Sequence, residues 1–374
     1  MNGRPADNVF ARNRSARAKF AVSRAFGRKI WRGMNETTLW SLPVSIAVFV
    51  GGALLTIGLG IRLSQAGNEL ADRTGFGEAV FGSIFFGGII SLSGIVMTAT
   101  AAGNGQASLA YSNAVGGVAA QILALGIADI AYRRANLEHA AASLPNAVFA
   151  VVLGWLLCIA LLASFAPPVT LFQVNIASLV LVAVYVFGLH QVRATHSDPQ
   201  WHAKQTDQTV ADRPEALSNR STAGLWADFA LSGLAVSAGG WAIARAAISL
   251  VQQLDLDASF VGAFLMGAVN AIPETVTAVA AVRTGALTLA VGGVLGGNAF
   301  DVLNLAVGDV AYRGGSLYHA ADRDDLFVTL TSLLMTLIVL GGLLRRERRG
   351  PLGIGFEGVA LGAVYALMVV ITIM

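Results

Sequence analysis

The sequence predicts an all-α polytopic membrane protein of about ten transmembrane helices, arranged as two inverted five-helix repeats. Three observations lead to this prediction: an apolar composition, a series of apolar runs, and a motif that recurs after 180 residues. Of the 374 residues, 55% are hydrophobic and only 13% are charged, whereas soluble domains carry about 25% charged residues. So little charge cannot cover a water-facing globule, and a lipid bilayer is the expected partner of the chain.

An apolar run of about 20 residues is long enough to cross the hydrocarbon layer as a helix. Ten such runs are predicted, over 38–62, 76–102, 107–131, 144–165, 169–189, 225–251, 259–283, 287–311, 326–344 and 352–374. A polar segment rich in Pro, Asp, Gln and Ser follows the fifth run and is expected to be a flexible linker. The predicted organisation is a basic N-terminal arm (1–37), a first five-helix half (38–189), the polar linker (190–224) and a second five-helix half (225–374).

The N-terminal arm has scattered Arg and Lys residues but no apolar core, so it is not a cleavable signal peptide. Its few aromatic residues allow two interpretations: an amphipathic segment on anionic lipid, or a disordered basic tail. No folded nucleic-acid module accompanies the basic residues, and we expect no nucleic-acid partner.

An internal repeat divides the chain into two related parts. Asp129-Ile-Ala-Tyr-Arg133 returns as Asp309-Val-Ala-Tyr-Arg313, and the flanking residues also match, so that the repeat motif covers 87–141 and 267–321. Five spans separate equivalent points, and an odd number makes the two copies cross the membrane in opposite directions. Inverted repeats are typical of secondary transporters, whose substrate site lies near the midplane between the repeats.

The second copy contains a carboxylate in the middle of an apolar run. Asn270-Ala-Ile-Pro-Glu274 combines this acid with a proline, which removes a backbone donor and frees a carbonyl group. A midspan acid costs on the order of 2.5–3.5 kcal/mol to insert, so it is rarely without a function. In the next run, Asn298 and Asp301 share one helical face. These oxygens suit Na⁺, Ca²⁺ or a proton. The alternative is that both acids pair with Arg245 or with amides for packing alone.

The same residues resemble a known family. Asn270-Ala-Ile-Pro-Glu-Thr-Val-Thr277 and Leu289-Ala-Val-Gly-Gly-Val-Leu-Gly-Gly-Asn-Ala-Phe-Asp-Val-Leu303 are similar to the second α-repeat of the sodium/calcium exchangers, which belong to the cation/Ca²⁺ antiporters. The repeats of that family read approximately Thr-Ser-x-Pro-Glu and Gly-Ser-Asn-x-x-Asn/Asp. The resemblance implies that Glu274 and Asp301 are ion ligands, that Asn270 stands in place of a ligating Thr, and that the first and sixth helices slide during transport.

The first copy departs from the family pattern. At the offset of 180, Glu274 falls on Gly94, Pro273 on Ser93, Asn270 on Ile90, Gly297 on Gly117 and Asp301 on Gln121. Only Ser91 and Gln121 keep oxygens at ligand positions. Family members that exchange Na⁺ for Ca²⁺ use a glutamate from each repeat, and here one is missing. The predicted ligands of the transported ion are therefore Glu274, Asp301, Asn270, Asn298, Ser91 and Gln121.

The loss of one midplane acid predicts exchange of Na⁺, or another monovalent cation, for H⁺, without a cofactor and without enzymatic activity. Three alternatives stay open: a Ca²⁺/cation exchanger with altered ligands, a non-transporting membrane scaffold or ion-responsive sensor, and a passive channel. Inorganic cations and the lipid bilayer are the expected partners, and a bacterial inner membrane is the expected location.

Other polar residues receive structural interpretations. Asp129 with Arg133, and Asp309 with Arg313, have i,i+4 spacing and are expected to be salt-bridged anchors. His139 and His319 lie in the connecting loops, on opposite faces of the membrane, and are expected to be structural. Asp228 and Arg245 are too far apart on one helix to pair with each other. Arg245 is instead expected to meet Asp301 or Glu274, or to lie near an interface.

The charge distribution predicts which face is cytoplasmic. Arg73, Arg133, Arg134, the linker and the 345–349 cluster share the side opposite the termini, and the positive-inside rule makes that side cytoplasmic. The basic arm opposes this orientation unless translation begins at Met34. We therefore expect the termini outside.

Overall fold

The computed structural model describes residues 39–74, 91–132, 135–197, 201, 204, 206, 220–347 and 355–374. The predicted N-terminal arm lies outside this part of the chain. In order, the helices are α1 (Leu42–Thr74), α2 (Leu92–Gly103), α3 (Ala107–Ala131), α4 (Leu137–Ala140), α5 (Leu144–Phe165), α6 (Ile176–Ser197), α7 (Thr222–Leu254), α8 (Ala258–Phe260), α9 (Gly267–Thr284), α10 (Leu287–Asp301), α11 (Asn304–Ala311), α12 (Arg323–Arg345) and α13 (Phe356–Ile373). One antiparallel pair of two-residue strands, β1 (Thr170–Leu171) and β2 (Val174–Asn175), joins α5 to α6.

The membrane-spanning character of the chain is confirmed. Within the described residues, nine helical segments are long and apolar enough to cross a bilayer, and the shorter apolar helix α2 lies in the second predicted run. The beginning of that run, 76–90, lies outside the described residues. The segment around α3 is 78% buried in its most apolar window, against 22% for α1 and for α13. The helix α3 is therefore central, and α1 and α13 present most of their surface to the outside of the bundle.

Three predicted boundaries differ from the observed ones, and contacts outside the apolar run fix the first of them. The first run was expected to end at 62, but α1 continues to Thr74, where Arg73 pairs with Glu69 at 2.6 Å and donates to the Arg220 carbonyl at 2.7 Å. The linker was expected to begin at 190, but α6 continues to Ser197. The fifth run was expected to be helical from 169, but a hairpin occupies its start.

The fourth difference lies beside the candidate ion ligands. The run over 287–311 was expected to be one helix, yet it breaks between α10 and α11, directly after Asp301. The turn is tightened by i→i+3 bonds, from Leu303 N to the Phe300 carbonyl at 2.8 Å and from Leu305 N to the Val302 carbonyl at 3.1 Å. The equivalent helix of the first copy, α3, is continuous.

Glycines allow the helices around the site to approach closely. A Cβ added at Gly267 would lie 2.8 Å from the Gly117 nitrogen, which places α9 directly on α3. Two further contacts are equivalent at the offset of 180. A Cβ at Gly60 of α1 would lie 2.8 Å from Pro273, and a Cβ at Gly240 of α7 would lie 2.9 Å from the Ser93 carbonyl oxygen. The helices α1 and α7 thus each rest, through a glycine, on the ion-motif helix of the opposite copy.

The duplicated Asp129 and Asp309 motifs both form loop caps, and at Asp309 the expected salt bridge is not formed. Asp309 accepts backbone bonds from Leu317 at 2.9 Å and Asn175 at 2.6 Å, and a bond from the Ser178 hydroxyl at 2.9 Å. Within the described part of the chain no ion pair joins Asp309 to Arg313. The anchoring role holds, but buried N–H donors are better partners than an arginine because they have no other way to be satisfied.

Asp129 is used in the same way as Asp309. It accepts backbone bonds from Leu137 at 2.7 Å and from Gly355 at 3.2 Å. Its expected partner Arg133 lies outside the described residues. Both histidines bond to backbone carbonyls, His139 to that of Arg346 at 2.8 Å and His319 to that of Ala166 at 2.6 Å.

Candidate ion-binding site

The proline of the ion motif lies within α9 without ending the helix. Hydroxyl groups on the following turn bind carbonyls of the proline-containing turn: Thr275 Oγ1 donates to the Ala271 carbonyl at 2.7 Å, and Thr277 Oγ1 to the Pro273 carbonyl at 3.0 Å. Immediately before α9, residues Val261–Met266 form a π-helix, an irregularity that is frequent at functional sites. This part of the chain thus departs from regular α-helix while staying within the bundle.

The closest link between the two copies joins equivalent residues. Gln121 Nε2 donates to Asp301 Oδ2 at 2.7 Å, and both side chains are buried. Residues separated by the repeat offset can touch only where the two copies face each other, so this bond marks the point where the copies meet. The amide oxygen of Gln121, Oε1, and the other carboxylate oxygen of Asp301, Oδ1, are buried without a hydrogen-bond partner.

Glu274 belongs to the same electrostatic environment. Its Oε2 is buried without a partner, and its charge interacts with that of Asp301. Among the described residues, no ion pair involves either acid. Arg245, which was expected to meet one of them, instead donates to Asn104 Oδ1 at 3.1 Å. The part of the packing interpretation in which the acids pair with Arg245 is therefore wrong. Its other part, pairing with amides, agrees with the bond from Gln121 to Asp301.

Asn270 lies against the first copy at the position equivalent to Glu274. Ser93 Oγ donates to Asn270 Oδ1 at 2.9 Å. A Cβ added at Gly94 would lie 2.8 Å from Asn270 Nδ2, and one added at Gly117 would lie 3.4 Å from the same atom. A neutral amide from the second copy therefore fills the space that a first-copy side chain at 94 would otherwise enter.

Further polar groups surround Asp301. The side chains of Ser91 and Asn304 lie close to its carboxylate. Asn298 and Asn304 are buried, and both side-chain atoms of each amide lack a hydrogen-bond partner. Buried polar atoms are normally satisfied, so a group of orphaned amides beside two acids indicates a place for a ligand. Asn298 is buried, as Asn270 and Asp301 are, but its side chain makes no hydrogen bond to the other predicted ligands.

Sequence reasoning missed two residues of this site and assigned a third only weakly. Ser93 was visible as the residue aligned with Pro273, but its bond to Asn270 was not. Asn304 falls on Ala124 at the repeat offset, so the repeat gave no signal for it. Asn113, expected only to line a cavity, donates to Thr98 Oγ1 at 2.9 Å and to the Gly94 carbonyl at 3.3 Å.

A separate cavity of about 460 Å³ lies along α1 and does not reach the acids of the site. Its lining residues are Gly58, Ile61, Arg62, Gln65, Ala66, Glu69 and Arg220. Arg62 and Arg220 both pair with Asp228, at 2.8 and 3.0 Å. These pairs explain why Asp228, near the start of α7, needs no contact with Arg245.

Comparison with known proteins decides the family. A family model described as "Sodium/calcium exchanger protein" matches residues 44–190 and 224–374, which cover both halves of the chain. The chain belongs to the sodium/calcium exchanger family. Its recognition from the second-copy motif is thereby confirmed, as is the exchanger-like helical fold. Members of this family are cation antiporters of the Na⁺/Ca²⁺ or H⁺/Ca²⁺ exchanger type, and they move inorganic cations within a membrane. No curated protein matches the sequence significantly.

Solved structures agree on the exchanger fold. The H⁺/Ca²⁺ exchanger CAX aligns with a TM-score of 0.61 and 11% identity over 88% of this chain and 86% of its own. Native YfkE aligns with a TM-score of 0.58 and 16% identity over 88% of this chain and 96% of its own. The sodium-calcium exchanger NCX_Mj, soaked with Na⁺ and Sr²⁺, aligns with a TM-score of 0.56 and 16% identity over 88% of this chain and 98% of its own. At these identities the likeness shows the fold alone.

Proposed function

We propose that this exchanger-family protein exchanges Na⁺, or another monovalent cation, for H⁺ across a bacterial inner membrane. The observation that carries the proposal is the contact of the Asn270 amide with Gly94. At the repeat offset, Gly94 is the counterpart of Glu274, so one copy supplies a carboxylate where the other supplies no side chain. The space is not left for a second acid, because a neutral amide already fills it.

The charge of the site supports a monovalent ion. Glu274 and Asp301 are the acids among the predicted ligands, and they repel each other when both are ionised. Binding one Na⁺ or one H⁺ relieves that repulsion, and the two cations compete for the same oxygens. A cycle that alternates between many Na⁺ ions and a dehydrated divalent ion requires more negative charge than two acids supply. Competition for one carboxylate couples the two fluxes without any further device.

The contacts of α1 and α7 support alternating access. Each of these long helices rests on an ion-motif helix through a glycine, Gly60 on Pro273 and Gly240 on Ser93. Because glycine has no side chain to interlock with the neighbouring helix, such contacts can be broken and remade as one helix slides along the other. We therefore assign α1 and α7 as the moving elements around a fixed site.

A Ca²⁺ exchanger with altered ligands is the second candidate, and one observation favours it. Buried oxygens without partners are available on Gln121, Asn298, Asp301 and Asn304, and Ca²⁺ takes six to eight oxygen ligands of which several can be neutral. Amide oxygens can then substitute for the missing carboxylate. A non-transporting scaffold or sensor is the candidate from another class, and the same experiment separates all three.

The test is flux through reconstituted protein. Liposomes carrying the purified chain would be monitored for internal pH and internal Ca²⁺ while gradients of Na⁺, K⁺ or Ca²⁺ are imposed. The variant Glu274→Gln removes the charge, and Asp255→Asn is a matched control at an exposed acid whose left-handed conformation asparagine also tolerates.

Proton movement driven by Na⁺ or K⁺, lost in Glu274→Gln and kept in Asp255→Asn, is the expected result. Ca²⁺ movement that depends on Glu274 would replace the proposal with the second candidate. Absence of any flux from folded, inserted protein would leave the scaffold as the remaining function. Flux that does not saturate with ion concentration would indicate a channel.

A further inference from the structure

Two loop junctions, related by the repeat offset, differ sharply in their chemistry. We define the first junction as the place where α4 meets the start of α13, formed by Asp129, Asn136, Leu137, Glu138, Gly355 and Glu357. The second junction is formed by the residues at the offset of 180 and their neighbour: Asp309, Ser316, Leu317, Tyr318, Asn175 and Ser178. In both, an aspartate accepts backbone bonds from the same two equivalent positions. The backbone design is therefore shared.

The second junction is neutral apart from that aspartate, and it is satisfied. The hydroxyl groups of Tyr318 and Ser178 lie 3.0 Å apart, and Asn175 Nδ2 donates to Ser316 Oγ at 2.9 Å. None of these side chains has a buried atom without a partner. The structural task of fixing the loop against the next helix therefore needs no acid beyond Asp309.

The first junction has two additional acids. Glu138 takes the position of Tyr318, and Glu357 lies two residues after Gly355 at the start of α13. They are 1% and 0% exposed. Asn136 Nδ2 donates to Glu357 Oε1, but Glu357 Oε2 and both oxygens of Glu138 have no hydrogen-bond partner. A pair of buried glutamates thus stands where the related junction uses neutral groups.

The two carboxyl groups are within reach of each other. Both side chains lie against Gly342 of α12, where an added Cβ would be 3.1 Å from Glu357 Cδ and 3.2 Å from Glu138 Cγ. Their side chains interact directly with each other. Two ionised carboxylates can only accept hydrogen bonds, so the contact is repulsive unless one group carries a proton.

Among the described residues, the charged groups on the surrounding elements do not compensate the pair. Asp129, from α3, adds a third acid whose oxygens are used by backbone donors. His139 is turned to the Arg346 carbonyl, and Arg346 donates to the carbonyls of Lys204 and His139. Arg345 lies over the Phe356 ring and pairs with Glu347. Within the described part of the chain, no ion pair reaches Glu138 or Glu357.

We propose that Glu138 and Glu357 form a proton-binding site, separate from the ion site at Glu274, in which one shared proton joins the two carboxyl groups and holds α13 against α4. A buried carboxylate without a counter-ion is normally neutralised by protonation, and a proton held between two carboxyl groups in contact relieves their repulsion. The proposal is independent of which ion crosses at Glu274. The junction lies on the face predicted to be cytoplasmic, so its proton comes from that side.

The pH dependence of the pair has a defined sign. Burial, together with the charges of Glu357 and Asp129, raises the pKa of Glu138 well above its ordinary value. Above the ordinary glutamate pKa of about 4.3, the folded protein therefore holds a proton that the unfolded chain has released. The free energy of unfolding decreases as pH rises from there to the raised pKa. The junction is tightest in acid and weakest in alkaline solution.

The first test is infrared spectroscopy of the full chain, carried out in a Glu274→Gln background so that Glu274 does not contribute. The carbonyl band of a protonated carboxylic acid is expected at neutral pH and should be lost in Glu138→Gln. In Glu357→Gln the band should instead shift in frequency, because Glu138 stays buried without a counter-ion and loses only the carboxyl group that shares its proton. Tyr318→Phe, the matched change at the second junction, should keep the band. Because glutamine keeps the size of glutamate, both variants should fold, and either one alone carries the test.

The second test is the thermal unfolding midpoint measured against pH. The parent protein should lose stability from mildly acidic to alkaline pH more steeply than either glutamine variant, while Tyr318→Phe keeps the parental slope. Absence of the band together with parallel slopes would overturn the proposal, since both acids would then be ionised. A rise of the midpoint on adding Na⁺ or Ca²⁺ that requires Glu138, without the band, would also overturn it and assign the pair to a metal cation.

Discussion

The two copies of the repeat contribute differently to the ion site, although their helices rest on each other through equivalent contacts. Gly60 meets Pro273 as Gly240 meets Ser93, and Gln121 binds its own equivalent, Asp301. The second copy supplies the acid Glu274 in α9. At the corresponding position, the first copy has a glycine.

This difference distinguishes the contacts that hold the fold together from the groups that select the bound ion. Contacts that are duplicated, such as the glycine approaches and the aspartate caps of the two junctions, hold helices and loops in place. Groups that are not duplicated carry a charge, or a polar atom without a hydrogen-bond partner, that the fold does not require. Glu274 at the ion site and Glu138 at the first junction are such groups. Changing a duplicated contact should mainly affect stability, whereas changing an unduplicated group should mainly affect the binding of ions or protons.

The largest effect is expected from removing the acids of the second copy. Glu274→Gln and Asp301→Asn should each abolish coupled cation flux, because either leaves one acid where the competing cations need two. Folding should be retained, since Glu274 Oε2 and Asp301 Oδ1 have no hydrogen-bond partner to lose, and asparagine at 301 keeps an oxygen that can accept the bond from Gln121. Flux in liposomes, with Asp255→Asn as control, checks this. Undiminished flux in either variant would separate that acid from the transport path.

The next effect compares the two aspartate caps. Asp309→Ala removes the acceptor of three donors, those of Leu317, Asn175 and Ser178, whereas Asp129→Ala removes the acceptor of two. Each buried donor left unsatisfied costs about 1–3 kcal/mol, so Asp309→Ala should lower the free energy of unfolding more. Relief of repulsion among the acids of the first junction should reduce the loss in Asp129→Ala further. Denaturant or thermal unfolding measures the order, and the reverse order would contradict it.

A smaller effect is expected at the glycine contacts. Gly240→Ala should cost about 1–3 kcal/mol through overpacking, and Gly60→Ala somewhat less, because the first meets a backbone oxygen and the second a proline ring. Both should slow flux. Gly58→Ala is the control, since an added Cβ there has nothing within 4 Å. Equal behaviour of all three variants would show that the close approaches do not limit movement.

The fold was largely predictable from the sequence because apolar length and the repeat offset are local or countable signals. The prediction failed where a polar contact extends an element, as at Arg73, or where a short turn interrupts an apolar run, as at Phe172 and Gln173, which both have positive φ. Such contacts depend on residues far away in the chain, and periodicity does not encode them.

The candidate site was predictable to a lesser degree. The motif identified Glu274 and Asp301, and the offset identified Gln121 as the partner position of Asp301. The bond between Ser93 and Asn270 could not be read from the sequence, because it joins residues that are not equivalent at the offset. Arg245 was misassigned for a similar reason, since nothing in its neighbourhood along the chain points to Asn104.

The most direct measurement of the central claim restores the missing acid. In Gly94→Glu the new side chain meets the Asn270 amide, so this variant should be inactive, whereas Gly94→Glu combined with Asn270→Ala has both the charge and the space. Uptake of radioactive Ca²⁺ into liposomes would be compared for the parent, both single variants and the combination. Ca²⁺ uptake by the combined variant alone, with cation/H⁺ exchange by the parent, is the predicted result. Glu274-dependent Ca²⁺ uptake by the parent itself would contradict the claim that the absent first-copy acid sets selectivity.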